Sequence, residues 1–110
     1  MDAVEVFRAL GDPVRMEMVR RLAKSRSSTI ISLSRGLGLT RQGARRHLQV
    51  LVNAKLARLS RRGRDVNVNL DAEKLDQAKT FIARLERQWE SRLEALKRMV
   101  EENENRGERR

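Results

Sequence analysis

The sequence has no cysteine, one proline and one histidine among its 110 residues. Disulfides and thiolate metal centres are excluded, and neither a reducing nor an oxidising compartment is indicated. Aromatic residues make up 3% of the chain and hydrophobic residues 39%, so a core must be built from Leu, Val, Ile, Met and Ala. That composition favours helices packing on helices. No hydrophobic run approaches the ~18 residues of a membrane span, and the first residues, with Asp2 and Glu5, lack a basic-then-apolar signal pattern. The expectation is a cytoplasmic protein with no membrane partner. The parts of an enzyme are also missing: there is no cysteine nucleophile, no Gly-rich Lys-Ser/Thr phosphate loop, and no evident nucleophile and base pair. No catalytic residue, metal or cofactor is expected.

Carboxylates are absent from a long internal stretch. Between Glu17 and Asp65 there are 13 basic residues and no acidic one, whereas the flanks nearly balance, so the net charge of +10 belongs to the middle of the chain. Solubility does not require 47 consecutive residues without a carboxylate. The pattern points to nucleic acid or another polyanion as partner.

The chain length is that of one domain, expected over residues 1–104. Val4, Phe7 and Leu10 fall on one face of a short first helix ending at Gly11. Asp12 and Pro13 supply the N-cap and first position of a second helix, with Val14, Met18, Val19 and Leu22 on its apolar side. Thr29 caps a third, whose apolar face is Ile30, Leu33 and Leu37, and Gly38 is placed to end it in a left-handed conformation. Thr40 caps a fourth, expected over about 41–52.

Residues 29–52 therefore read as a helix, a turn of about three residues and a second helix, the spacing of a helix-turn-helix. Ala44, Leu48 and Leu51 of the second helix face inward, which leaves Arg41, Gln42, Arg45, Arg46 and Gln49 on its remaining surface. Arg bonds bidentately to guanine and Gln to adenine in the major groove, and both also hold phosphate. Gly43 is small enough to admit a backbone close by. Next, Ala57 to Ser60 and Val66 to Leu70 read as a hairpin, the second strand alternating Val66, Val68 and Leu70 with Asn67 and Asn69. Its connection, Arg61-Arg62-Gly63-Arg64, is a cationic loop beside the recognition helix, as a DNA-contacting wing would be. The fold class is mainly α with a small β-hairpin, a winged helix-turn-helix.

With these elements in place the chain resembles the ArsR family of winged-helix repressors over residues 4 to about 100. The resemblance rests on Ala9-Leu10-Gly11-Asp12-Pro13-Val14-Arg15, on Leu37-Gly38-Leu39-Thr40-Arg41-Gln42, on Arg46-His47-Leu48-Gln49-Val50-Leu51 with Ala54 and Leu56, and on the basic wing. It implies a dimer that binds operator DNA and represses until an inducer releases it. It also sets the DNA-binding candidates as Thr40, Arg41, Gln42, Arg45, Arg46, His47, Gln49, Arg61, Arg62 and Arg64. The metal-sensing members carry Cys-Val-Cys in the third helix, where this chain has Thr29-Ile30-Ile31, and the last helix has no histidine for a second family metal site. The lone histidine, His47, matches the family position in the recognition helix and reads as a packing or phosphate-contacting residue. Lys55 replaces the glycine common after that helix, at a cost of about 1 kcal/mol if its backbone is left-handed.

From Asp71, an expected N-cap, the chain runs without Gly or Pro to Asn105, a helix of roughly 30 residues or 45 Å. Leu75, Ala78, Ile82, Leu85, Trp89, Leu93, Leu96 and Val100 are spaced mostly by alternating threes and fours, a seam that packs against another helix, with Phe81 and Met99 widening it. A second copy of the chain is the economical partner. The expected dimer interface is Val4, Phe7, Ile82, Leu85, Trp89, Leu93, Leu96 and Val100. Residues 105–110 are expected to form a disordered tail. The competing function is a non-specific architectural or RNA-binding protein that uses the same charge.

Overall fold

The computed structural model describes residues 2–25 and 27–108 and divides the chain into two compact units, one up to Ala78 and one from Lys79. The elements are α1 (Asp2–Leu10), α2 (Pro13–Lys24), α3 (Ile30–Ser34), α4 (Arg41–Asn53), β1 (Ala57–Arg62), β2 (Asp65–Leu70) and α5 (Glu73–Glu108).

The helix starts are set by side-chain caps, since the first backbone N–H groups of a helix have no partner within it. Asp12 Oδ1 accepts from the N–H groups of Val14 at 2.8 Å and Arg15 at 3.2 Å, and Pro13 follows it at the first helical position. The Thr29 hydroxyl accepts from Ser32 N at 3.1 Å, and the Thr40 hydroxyl from Gly43 N at 3.0 Å. The Asp12 carboxyl is held below the usual carboxylate range, chiefly by the Arg15 N–H. Asp71 lies two residues before α5 but still takes the Glu73 N–H at 3.2 Å. It also binds Arg58 at 3.0 Å, and that guanidinium is the main reason its carboxyl is held low.

α3 is shorter than the expected apolar face, stopping at Ser34 rather than reaching Leu37. Gly36 already has φ +78°, so the left-handed turn begins two residues before Gly38, which has φ +69°. The carbonyls freed by this early stop are met by α2: the Arg21 guanidinium reaches those of Leu33 at 3.0 Å and Arg35 at 2.9 Å. Glu17 holds Arg21 from the same helix at 3.2 Å.

The core contains Val6, Ala9, Met18, Leu22, Leu33, Leu48, Leu51, Leu56 and Val68, and all three aromatic residues of the chain lie outside it. On α1 the buried side is Val6 and Ala9, with Leu10 partly buried, whereas Val4 and Phe7 are 51% and 37% exposed. Val4 and Phe7 thus share an exposed side of the helix, and Leu10 stands between that side and the buried one. Both sides of α1 carry apolar residues, and the smaller Ala9 is the one that allows close packing.

β1 and β2 pair antiparallel from Ala57 opposite Leu70 to Arg62 opposite Asp65, so each strand extends beyond its expected limit toward the tip. The turn is then Gly63-Arg64, with Gly63 at φ +62°, the glycine-first pattern of a tight hairpin. A connection not foreseen from the sequence is the pairing of Ser28 with Val68, through bonds of 3.0 and 2.7 Å, which ties the segment before α3 to the inner strand.

In the second unit α5 continues to Glu108, past the end expected at residue 104, giving 36 residues and a length of about 54 Å. Glu101, Glu102 and Glu104 are good helix formers, and Glu102 and Arg106 stand four apart. The expected disorder of 105–110 therefore does not hold for 105–108, and residues 109 and 110 lie outside the described residues. Ile82, Leu85, Trp89, Leu93, Leu96 and Val100 are all exposed, Trp89 by 62%.

α4 ends in paired bonds, Lys55 N to Val52 O at 3.0 Å and Leu56 N to Leu51 O at 2.9 Å, with Leu51 and Leu56 fully buried. Lys55 occupies the left-handed position of this motif at φ +61°. Glycine would relieve the strain while adding freedom to the unfolded chain, so Lys55→Gly is expected to stabilise the fold by about 0.5–1 kcal/mol in denaturant melts. A loss of stability would show that the lysine side chain outweighs its backbone strain.

Candidate nucleic-acid interface

α4 divides its side chains into three groups. Ala44, Leu48 and Leu51 are buried in the core. Gln42, Arg46 and Gln49 lie opposite them at helical spacing and are exposed, with Gln49 Nε2 donating to Asn53 Oδ1 at 2.8 Å. Arg41 and Arg45 occupy one flank, where they line a groove with Ile30 and Ile31 of α3 and with Arg64 and Asp65 of the hairpin. The helix-turn-helix, the exposed polar face of its second helix and the cationic hairpin thus come together as the sequence predicts. Thr40, which begins the helix, commits its hydroxyl to the cap.

His47 occupies the opposite flank and is largely withdrawn from the exposed face. Its Nδ1 lies 3.2 Å from the Arg15 guanidinium and 3.9 Å from Asp12 Oδ1. Of the two roles read for it, this geometry is that of a packing residue, which separates it from the other recognition-helix candidates. Gly43 also has a local role. A Cβ there would come within 3.2 Å of the Thr40 hydroxyl, so the glycine makes room for the cap of its own helix.

The arginines of the basic stretch differ in what they do. Arg21 closes the end of α3 and Arg58 pairs with Asp71, so both are engaged within the fold. Arg61 stands opposite Val66 on the side of the ladder that also carries Leu59 and Val68, whereas Arg62 stands opposite Asp65 on the other side. Together with Arg64 in the turn, they carry charge to both sides of the hairpin tip. Asp65 is the acid nearest this tip, and no sequence signal showed that it would lie in the groove beside Arg64.

The residues present do not fit the metal sites of the metal-sensing members. There is no cysteine, the single histidine packs at Arg15, and no group of three or more His, Asp or Glu side chains is gathered among the described residues. Among the described residues no helix is long and apolar enough to cross a membrane.

A helix-turn-helix domain family matches residues 10–60, from the end of α1 through most of β1. No curated protein matches the chain. Among solved structures, an ArsR-like transcriptional regulator from Rhodococcus sp. RHA1 aligns with a TM-score of 0.75 at 26% identity, over 89% of this chain and 92% of that one. A second ArsR family transcriptional regulator gives 0.75 at 22% identity, over 82% and 92%. The transcriptional repressor BigR from Xylella fastidiosa gives 0.57 at 17% identity, over 73% and 82%. The capped helix pair, the hairpin and these likenesses agree: the chain has a winged helix-turn-helix fold similar to that of ArsR-like transcriptional regulators.

Proposed function

We propose that the chain is a homodimeric transcriptional repressor that binds an inverted-repeat operator in double-stranded DNA and acts in the cytoplasm without a catalytic step. The observation that carries this reading is the exposed face of α4, with Gln42, Arg45 and Arg46, flanked by the arginines of the hairpin tip. A major groove about 12 Å wide admits such a helix, and its base edges pair with these side chains. The hairpin arginines supply phosphate contacts, which hold the module on DNA without reading sequence. BigR, to which the chain is similar in fold, is a transcriptional repressor.

Two exposed apolar surfaces support the dimer. One is Val4 and Phe7 on α1; the other is the α5 stripe from Ile82 through Trp89 to Val100. An exposed apolar stripe at heptad-like spacing calls for another helix, and a second copy supplies one. Two modules related by a two-fold axis read half-sites about one helical turn apart, or a multiple of it, and gain affinity because the second engagement is intramolecular. In this proposal residues 1–104 act as one DNA-binding domain with a dimerising C-terminal helix.

Selection from a random-sequence duplex library tests the sequence-reading claim. A repressor recovers an inverted repeat bound roughly a thousandfold more tightly than random duplex, whereas equal affinity for every duplex or for RNA favours the architectural alternative. On the selected duplex, Gln42→Ala or Arg45→Ala should lose about 1–3 kcal/mol and relax base preference. Neutralising Arg61, Arg62 and Arg64 together should weaken selected and random duplex alike and flatten the salt dependence. Unchanged selectivity in the α4 variants would remove α4 from base recognition. For the dimer, sedimentation should show Trp89→Ala, Leu93→Ala as a folded monomer with most operator binding lost, since burying a tryptophan contributes about 3–5 kcal/mol. A wild-type monomer at micromolar concentration, or a variant that remains dimeric, would contradict the α5 interface.

A further inference from the structure

Arg15 lies outside the basic stretch and on α2, yet its guanidinium bonds to two other elements. Nε donates to the Ala9 carbonyl at 2.7 Å, a second nitrogen lies 3.5 Å from the Arg8 carbonyl, and the third lies 3.2 Å from His47 Nδ1. The end of α1 and the inner flank of the recognition helix α4 are thereby joined through one rigid, planar group. Its own backbone N–H is held by the Asp12 cap, whose carboxylate stands 3.9 Å from the same imidazole nitrogen.

An arginine in a protein is always a donor, so in a bond between the two Nδ1 is the acceptor and the ring proton sits on Nε2. The planar fork holds orientation as well as distance, which a lysine ammonium would not. His47 is five residues beyond Gln42, two beyond Arg45 and one beyond Arg46, so a rotation of α4 at His47 moves all three.

We propose that Arg15 is a positioning residue for DNA recognition: by bonding the end of α1 to His47 it holds α4 at the rotation that core burial selects, the one at which Gln42, Arg45 and Arg46 are presented. The inference rests on the reading of α4 as the DNA-contacting helix. It also links α1, whose Val4 and Phe7 are exposed, to the recognition helix by a path that runs through hydrogen bonds rather than through DNA.

Because the chain has a single histidine, the bond has its own spectroscopic signature. Nitrogen-15 NMR of the full-length wild type should show the imidazole locked with its proton on Nε2, and Arg15→Gln should release it to mixed tautomers. Binding is read with the library-selected duplex and a random duplex. Arg15→Gln should lower affinity for the selected duplex about tenfold, the size of one base contact, and for random duplex much less, because phosphate contacts tolerate a small rotation. His47→Asn keeps a side-chain acceptor at the position of Nδ1 and should retain binding, whereas His47→Leu packs without accepting and should match Arg15→Gln. Comparison of those two His47 variants serves even where Arg15→Gln unfolds. An unchanged ratio of selected to random affinity in folded Arg15→Gln, equal binding by His47→Leu and His47→Asn, or a freely exchanging tautomer in the wild type would each overturn the proposal. Wild type that binds no duplex would instead overturn the DNA-binding reading, and the tautomer measurement would still judge the Arg15–His47 bond.

Discussion

Ala44, Leu48 and Leu51 lie on one side of α4 against a core made of small and medium aliphatic side chains, and their burial orients the rest of the molecule. Once that side is packed, helical geometry leaves Gln42, Arg46 and Gln49 facing away from it and puts Arg41 and Arg45 on the flank nearest the hairpin. Burying the two leucines is worth roughly 1.5–3 kcal/mol each relative to exposure, far more than a solvent-exposed arginine gains from any one rotation of the helix. The exposed polar surface of α4 is thus set by the core behind it. Thr40 sets where the helix begins and the Leu51 to Leu56 closure sets where it ends, so the polar face has both its rotation and its length fixed.

A chain with a large positive surplus must also manage its own repulsion. Part of the charge is absorbed by the fold: Arg21 is engaged by the carbonyls that α3 leaves open, Arg15 by those of α1, and Arg58 by Asp71. The bonds of Arg21 and Arg15 satisfy helix ends that would otherwise rely on water. The arginines of α4 and the hairpin tip project into solvent, where a phosphate backbone would neutralise them. The arginines engaged within the fold and those left to solvent are of one residue type, and only their partners distinguish them.

The features legible in the sequence were those whose cause is local. Asp12, Thr29 and Thr40 cap the helices that follow them, because a cap needs only the next two or three residues. The left-handed backbone at Lys55 was likewise visible from the residue type that stands where glycine is common. The features that were missed depend on distant partners. Ser28 pairs with Val68 across forty residues of chain, and nothing in the run before Thr29 marks it as a strand. The bond from Arg15 to His47 has the same character. α3 ended early although Gly36 was in view, since two glycines two residues apart offer two stopping points and only packing selects one. On α1 the spacing of Val4, Phe7 and Leu10 marks one apolar side, but contact with the rest of the core buries the neighbouring side, Val6 and Ala9.

The central claim is that the exposed face of α4 and the tip of the hairpin meet DNA. Backbone amide NMR of the full-length protein titrated with the library-selected duplex tests it most directly, because every segment is observed at once without a mutation. The largest shifts are expected between Thr40 and Gln49 and between Arg61 and Arg64, with smaller ones at the start of α3 and little change on the exposed side of α5. Shifts centred on α5, or spread evenly over the surface with α4 unmoved, would contradict the account.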